Sequence, residues 1–481
     1  MAIDQKLKEK NIAPKTNIDN NEAALTIAIR WSRWSPNHPQ IFGAMIFVAI
    51  NIASNCPIST ASKPLPCKKR PQYGTNAPKN EVLALDLLQS AAKDNSGEAI
   101  SLLAEIKFDD QLPHVRIIHT GGTIASKVDY KTGAVVAKFE PHELVSAIPE
   151  LSSIANIDAV KLGNMFSDDI RCQHWNKMID ATKQAFDDGC DGVVITHGTD
   201  TLHITSAAMC YAWSGEGKAP PGRIALVGSQ RSSDRGSSDA TENLISAVFW
   251  AANGPKPGAI RGDAAVVVMH TSSHDGTCSI QPGTGVRKLH STRRDAFRNV
   301  NSQPLAYIKI DGGEPSIVMD SVYETELNTS NAEINTSPRK YSENVRIAQF
   351  IAGPYLHEDE IEAIIANGPQ AIVIHGTGLG HLPIDDPGKD APENTKVWRA
   401  LTRCVNRNIP VVITSQCLHG PIDMNVYSKG RKQQEMGLLG HGSVTTPDST
   451  VVKIHYALSN NKDVAKILSQ NLCGENLNVL R

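Results

Sequence analysis

The hydrophobic positions of the chain fall into short, nearly continuous apolar runs from residue 114 onward, separated by amphipathic stretches. Apolar runs of this length are typical of strands buried on both faces of a sheet, whereas a repeat at every third or fourth position indicates a helix. The predicted strands of this first block are residues 115–118, 192–196, 224–227, 264–269 and 306–310. The predicted helices are residues 143–148, 172–186 and 206–213. This alternation predicts a parallel sheet covered by helices on both faces.

A second block with the same alternation begins near residue 344. Its predicted strands are residues 345–351, 371–374, 411–414 and 450–455, and its predicted helices are residues 358–366, 397–406 and 462–472. Between the blocks, residues 312–343 are polar and rich in Ser, Asn and Glu, which is typical of a linker or an exposed insert. We therefore predict an α/β protein with an N-terminal segment of unassigned fold (1–110), a large domain (111–320), a linker (321–343) and a smaller C-terminal domain (344–481).

Residues 1–110 lack this regularity and contain several prolines and polar stretches. Within them only residues 81–106 have a helical pattern. The apolar stretch 41–53 is shorter than the ~20 residues that a membrane-spanning helix needs. We therefore expect a buried strand or helix there rather than a membrane anchor.

Charge and cysteine content exclude several classes of protein. The formal net charge of −2 excludes a strongly basic nucleic-acid binder, although a local basic patch remains possible. The nine cysteines are scattered and form no CxxC pair, which argues against a disulfide framework or a zinc site. Scattered cysteines of this kind are typical of a protein in the reducing environment of the cytoplasm.

Two predicted strands end in glycine and hydroxyl residues, in the stretches HTGGTIAS (119–126) and VVITHGTDT (193–201). Ligands of open parallel sheets bind beyond the carboxyl ends of the strands, so these two loops are expected to form one site. Glycine after a strand is often only turn chemistry, and Thr199 or Asp200 could instead cap the following helix. The spacing does not match a dinucleotide fingerprint, and the sequence contains no phosphate-binding P-loop.

A third segment of interest, residues 285–297, is basic and contains Arg287, Lys288, Arg293 and Arg294. Such a run is typical of a solvated or RNA-facing surface. A cationic side chain in a pocket could instead activate a hydroxyl or orient an acid. The sequence alone does not decide between Arg287 and Lys288 for that role.

These motifs together resemble the asparaginase/glutaminase superfamily. TGGTIAS, ITHGTDT and VGSQRSSDRGSSDA occur in the family order, and the resemblance extends from residue 114 to about residue 481. GGTIASKVDYKTGAV, VRKLHSTRRDAF and TSQCLHGPIDMNVYSKGR are most similar to the D-type subunit of archaeal glutamyl-tRNA(Gln) amidotransferases. The resemblance implies two parallel-sheet α/β domains of asparaginase type. Residues 1–110 do not resemble the small β-rich domain that precedes them in that family.

The resemblance also implies the roles of individual residues. The two catalytic threonines of the superfamily fall on Thr123 and Thr199, and Tyr130 corresponds to the tyrosine that assists the first. Asp200 and Lys288 complete the group around Thr199. The residues implied to bind the substrate are Gly122, Ser167, Asp168 and Gly198. Free asparaginases usually have Gln in place of Asp168, whereas the D-type subunit usually has an acid.

The function implied by the resemblance is glutamine hydrolysis that supplies ammonia for converting Glu-tRNA(Gln) to Gln-tRNA(Gln). In that family a partner, the E-type subunit of the amidotransferase, uses ATP and Mg to activate the tRNA. Two D-type and two E-type chains assemble around a homodimer of the D-type chain. This chain itself would need no metal or cofactor, and no membrane is involved. The alternatives are a free-standing cytoplasmic L-asparaginase/glutaminase and a non-catalytic binding protein with the same fold.

Overall fold

A computed structural model describes residues 109–128, 135–137 and 148–476 of the chain, and of residues 125–128 and 135–137 only the backbone. The predictions for residues 1–108, for residues 143–147 of the predicted helix 143–148 and for Tyr130 lie outside the described residues. Residues 109–476 belong to a single structural unit, which contains two lobes. Among the described residues, no helix is long and apolar enough to cross a bilayer.

The strands and helices of the described residues follow in chain order. The strands are β1 (His114–Gly121), β2 (Ser126–Val128), β3 (Val135–Ala137), β4 (Asn156–Met165), β5 (Gly192–Thr196), β6 (Arg223–Val227), β7 (Val266–His270), β8 (Thr277–Pro282), β9 (Val286–Lys288), β10 (Phe297–Asn299), β11 (Ala306–Asp311), β12 (Glu314–Met319), β13 (Ile347–Ile351), β14 (Ala371–Gly376) and β15 (Val411–Ser415). The α-helices are α1 (Cys172–Asp187), α2 (Leu202–Ser214), α3 (Ala240–Asn253), α4 (Ser321–Thr329), α5 (Glu358–Ala366), α6 (Pro392–Asn406), α7 (Ser428–Met436), α8 (Pro447–Ser459) and α9 (Val464–Ser469). Short 3-10 helices are Thr123–Ala125, Pro149–Ser153 and Ser167–Asp169.

The large lobe is built on a sheet of strand order β12-β11-β8-β7-β6-β5-β1-β4. At one end of the sheet the neighbouring strands β4, β1, β5, β6 and β7 are parallel to one another, as predicted. The strands β8, β11 and β12 are antiparallel, so the sheet is mixed, and the prediction of a wholly parallel sheet is wrong for this end. The reason is the short turn between β7 and β8, which has room for a hairpin but not for a crossover helix.

Both faces of this sheet are buried, which explains the continuous apolar strands. Ile118 and Ile195 belong to the core that includes α1 and α2, whereas Ile117 and Val194 belong to the core that includes α3. Neighbouring residues of one strand point to opposite faces, so covering both faces requires apolar residues at successive positions.

The small lobe is a three-stranded parallel sheet of order β13-β14-β15, packed against α5 and α6. Helix α8 lies against its other face and also packs on α2 of the large lobe, so it joins the two lobes. The predicted helix at 358–366 coincides with α5.

The predicted last strand at 450–455 is wrong, because these residues lie in helix α8. The side chain of Thr446 caps the helix by accepting from the Ser449 amide, and Pro447 occupies its first turn. Val452, Ile454 and Tyr456 are all buried between the lobes. A helix buried on several sides has few polar positions, and a β-branched run of this kind has the same pattern as a buried strand.

The polar stretch 312–343 contains regular structure that its composition did not predict. Strand β12 forms the edge of the large sheet, and α4 follows it. Strand β4 and helix α3 were likewise not predicted. The remaining residues of the stretch connect the large lobe to the small one.

Candidate active site

The carboxyl ends of β1 and β5 lie side by side, so that His119 is opposite Thr196. The Thr120 hydroxyl donates to the Thr196 carbonyl at 2.7 Å. Just beyond, Gly122 has a φ of +86°, and a Cβ placed on it would lie 2.5 Å from the Gly198 amide nitrogen. Only glycine permits this approach, because it lacks a Cβ. The structure therefore brings together the two glycine loops, as the sequence predicts.

Lys288, at the end of β9, connects the second glycine loop to the basic segment. Its Nζ donates to Thr199 Oγ1 and to Asp200 Oδ1, both at 2.8 Å. Thr199 is 6% exposed, and the side chains of Lys288 and Asp200 are 9% and 68% exposed. A buried hydroxyl is thus held next to a cation, and an acid open to solvent faces the same cation.

The alternative that Thr199 or Asp200 caps helix α2 does not hold. The N-cap residue is Thr201, whose side chain makes no capping bond and instead donates to the Ser167 carbonyl at 2.6 Å. The Ser167 hydroxyl in turn accepts from the Asp200 amide at 3.1 Å. Ser167 is buried and Asp168, next to it, is exposed. The predicted binding segment therefore contacts the loop that contains Thr199.

Thr123 follows Gly122 directly and begins the 3-10 helix after β1, where it is partly buried. The close approach of Gly122 to Gly198 therefore brings the two threonine-containing loops to one end of the sheet. The assignment of Tyr130 stays a prediction.

A buried hydrogen-bond chain fixes the backbone of the second glycine loop, and no local motif in the sequence indicates it. Trp175 Nε1 donates to the Thr205 hydroxyl at 3.1 Å, and that hydroxyl lies 2.9 Å from His197 Nε2. His197 Nδ1 lies 2.6 Å from the Gly198 carbonyl, so this nitrogen carries the proton and donates. Burial lowers the pKa of His197 to about 4, which keeps the ring neutral. His197 thus orients the Gly198 peptide without adding charge.

The loop after β6 is also held rigidly beside Thr199. A Cβ on Gly228 would lie 2.9 Å from Thr199 Cγ2, which shows how closely the loop approaches. Asp239 accepts from the amides of Gln230 at 2.9 Å and Arg231 at 3.0 Å. The motif VGSQRSSDRGSSDA therefore forms a wall of the site.

The basic residues of the third segment each face a carboxylate. Arg287 pairs with Asp448, Lys288 with Asp200, Arg293 with Asp295, and Arg294 with Asp275. These contacts disfavour the alternative of an RNA-facing cationic surface. They also distinguish the two candidate cations, because Lys288 contacts the glycine loop and Arg287 points toward α8.

Two groups of side chains in the described part of the chain have metal-ligating atoms close together. They are His114, Asp158 and Cys190, and Glu242, His270 and Asp275. In each group an arginine already pairs with a carboxylate, Arg116 with Asp158 at 2.6 Å and Arg294 with Asp275 at 2.5 Å. Neither group includes a residue of the predicted site.

Comparison with known families gives two adjacent matches. The family model described as "Asparaginase, N-terminal" matches residues 114–322, and the one described as "Glutaminase/Asparaginase C-terminal domain" matches residues 344–469. These limits coincide closely with the two lobes.

Comparison with individual proteins gives relatives that match over most of their length. The D-type subunit of a glutamyl-tRNA(Gln) amidotransferase from Methanobrevibacter smithii is 37% identical over 395 residues, which are 81% of this chain and 82% of that protein. The corresponding subunit from Pyrococcus furiosus is 37% identical over 377 residues, 77% of this chain and 78% of that protein. Among solved structures, the thermostable L-asparaginase from Thermococcus kodakarensis is similar with a TM-score of 0.60 and 26% identity, covering 76% of this chain and 99% of that chain.

Proposed function

Because the chain belongs to the family of D-type subunits of glutamyl-tRNA(Gln) amidotransferases, we propose that it is the glutaminase subunit of such an enzyme. It hydrolyses glutamine and supplies the ammonia that converts Glu-tRNA(Gln) to Gln-tRNA(Gln). The observation that carries this proposal is the contact of Lys288 Nζ with both Thr199 Oγ1 and Asp200 Oδ1 at 2.8 Å. That arrangement supplies what amide hydrolysis requires, namely a hydroxyl with a cation and an acid beside it.

The chemistry begins with attack of a threonine oxygen on the side-chain amide carbon of glutamine. A threonine hydroxyl is a weak nucleophile, and a cation within hydrogen-bond distance stabilises the negative charge that develops as its proton leaves. Lys288 takes up that proton while it passes one of its own to the Asp200 carboxylate, so the two side chains form a proton relay. The C–N bond then breaks, ammonia leaves with the proton, and water resolves the glutamyl-enzyme. Thr123 or Thr199 forms the ester, and of the two it is Thr199 that contacts the Lys288–Asp200 relay.

Backbone amides of the two glycine loops stabilise the oxyanion that forms on the amide carbonyl. Each such donor contributes roughly 3–4 kcal/mol in comparable sites. The α-amino and α-carboxylate groups of the substrate bind Ser167, Asp168 and Asp200. The exposed carboxylates of Asp168 and Asp200 suit the substrate ammonium group. The preference for glutamine over asparagine follows from the family.

The same proposal extends to the assembly. The partner is the E-type subunit of the amidotransferase, which uses ATP and Mg to activate Glu-tRNA(Gln). This chain pairs with itself within a tetramer of two D-type and two E-type chains. It contributes no cofactor, and the complex works in the cytoplasm. The relatives are named as one subunit of an amidotransferase, which supports a complex of this kind.

The direct test replaces Thr199 by Val in the full chain with its partner subunit and tRNA present. The exchange removes one hydroxyl at nearly constant volume, so we expect glutamine turnover to fall roughly 10³-fold or more, about 4 kcal/mol of transition-state stabilisation. Ammonia release measures turnover, and thermal unfolding measures the fold.

Thr182→Val is the matched control, because Thr182 is fully buried in α1 and its hydroxyl has no hydrogen-bond partner among the described residues. This variant should retain both its melting temperature and its turnover. Near-normal turnover by Thr199→Val would refute the assignment of Thr199 to the reaction.

A further inference from the structure

Asp448, in the first turn of α8, contacts two residues of the large lobe. Its Oδ2 lies 3.2 Å from the Arg287 guanidinium and 3.5 Å from His203 Nε2. The side chains are mostly buried, with 25% exposure for Asp448, 30% for Arg287 and 9% for His203. The Asp448–Arg287 ion pair is partly shielded from water, and such a pair is stronger than a fully exposed one.

Each of these contacts lies next to a residue of the proposed catalytic group. Arg287 immediately precedes Lys288 on β9, and successive side chains of a strand point to opposite faces. Fixing Arg287 on one face therefore fixes the direction in which Lys288 leaves the strand on the other. His203 lies in the first turn of α2, directly after the loop that contains Thr199 and Asp200.

The charge of Asp448 is maintained in this setting. Burial raises the pKa of its carboxyl, but the contact with His203 and the charge of Arg287 outweigh burial and hold the pKa below its usual range. His375, at the end of β14, also faces the group, and its Nδ1 lies 2.8 Å from Thr414 Oγ1. Asp448 is thus an anion that links a small-lobe helix to two elements of the large-lobe site.

We propose that Asp448 is a positioning residue for the reaction, which holds β9 and the start of α2 so that Lys288 stays in contact with Thr199 and Asp200. The inference rests on the proposed function, since it assumes that this group performs catalysis. The small lobe thereby helps to fix the geometry of the site in the large lobe of the same chain.

The test is Asp448→Asn in the full chain, assayed for ammonia release from glutamine with the E-type subunit and Glu-tRNA(Gln). The exchange keeps the shape and removes the charge. Because small displacements of reacting groups have large effects on rate, we expect kcat to fall about ten- to a hundredfold, while KM stays within about twofold. Asp448→Glu should recover part of the loss in kcat.

Glu216→Gln is the matched control. Glu216 follows the opposite end of α2, roughly 20 Å along the helix axis from His203, and likewise pairs with cations from later in the chain, Arg339 and Lys462. Both acids connect distant parts of the fold, so a purely structural role would give both variants the same result. We expect Glu216→Gln to leave kcat unchanged.

A double-mutant cycle with Arg287→Gln tests the route of the effect. If Asp448 acts through Arg287, the double variant should lose much less kcat than the product of the two single losses. Full kcat in Asp448→Asn, or equal effects of Asp448→Asn and Glu216→Gln, would overturn the inference while leaving the proposed function intact. An inactive wild-type complex would instead refute the proposed function itself.

Discussion

His197 shows how a single buried residue controls the geometry of the site. It accepts from Thr205 and donates to the Gly198 carbonyl, so its ring has one fixed tautomer. The peptide that follows Gly198 presents Thr199. A charged ring could not accept from the Thr205 hydroxyl, and its burial would be costly. The neutral state is therefore required by the structure around the loop.

Because His197 is buried, the free energy of unfolding should depend on pH in a way that can be measured. The folded-state pKa of His197 is about 4, below the ordinary value of 6.5, so the unfolded chain takes up the proton first as the pH falls. The stabilisation that depends on the neutral ring is fully present above about pH 6.5 and decreases toward about pH 4. The free energy of unfolding of the wild type, minus that of His197→Asn, should therefore fall by about 2 kcal/mol from about pH 6.5 to about pH 5.

Urea unfolding of both proteins measures this difference, and contributions from all other titrating groups cancel in the subtraction. Between about pH 7 and about pH 8 the difference should be constant, which provides the internal control. A difference that does not change below about pH 6.5 would mean that the histidine is not buried as described.

At the residue scale, the short motifs predicted which residues meet at one end of the sheet, whereas the part these residues take in a reaction stays a prediction. Gly122, Gly198, Thr199 and Asp200 lie within four residues of the ends of two adjacent strands, so their meeting follows from the sheet. The partners of these residues could not be predicted in the same way. Asp448 contacts Arg287 from a distant part of the chain, and no local pattern indicates that pairing.

At the scale of elements, the site depends on how closely two strand-end loops can approach. Gly122 and Gly189 have nearly the same positive φ, +86° and +89°. They differ in their surroundings. A Cβ on Gly122 would lie 2.5 Å from the Gly198 amide nitrogen, whereas a Cβ on Gly189 would have no heavy atom within 4 Å. Alanine variants of these two glycines therefore separate the effect of backbone strain, which both would have, from the effect of a steric conflict, which only Gly122→Ala would have.

Gly122→Ala should therefore abolish turnover, because the two loops must move apart to accommodate the methyl group. Gly189→Ala introduces the strain of a comparable positive φ just after α1 and should cost about 1–2 kcal/mol of stability with unchanged turnover. Ammonia release and chemical unfolding of both variants measure these effects. Equal turnover in the two variants would show that the approach of the loops is not required.

Elements with one clear signal were predicted well, and elements with conflicting signals were not. Strand β5 was predicted with its observed limits because it is short and apolar and a glycine follows two residues after its end. Helix α8 was predicted as a strand because its β-branched residues favour a strand, and only its position between the lobes decides otherwise. The antiparallel end of the large sheet depends on a turn length that the apolar pattern does not reveal.

At the scale of the whole molecule, the chain combines a large lobe that contains Thr199, Asp200 and Lys288 with a small lobe that contributes Asp448 through α8. The fold alone does not distinguish an amidotransferase subunit from an asparaginase, since the L-asparaginase from Thermococcus kodakarensis is similar over 76% of this chain. The distinction rests on the amidotransferase relatives and must be tested by activity.

The most direct test measures ammonia release from glutamine and from asparagine, first by the chain alone and then with the E-type subunit and Glu-tRNA(Gln) added. We predict strong glutamine hydrolysis only when partner and tRNA are present, because a subunit that supplies ammonia to another active site should not release it without an acceptor. Vigorous asparagine hydrolysis by the chain alone, unaffected by tRNA, would contradict this account and identify a free-standing asparaginase.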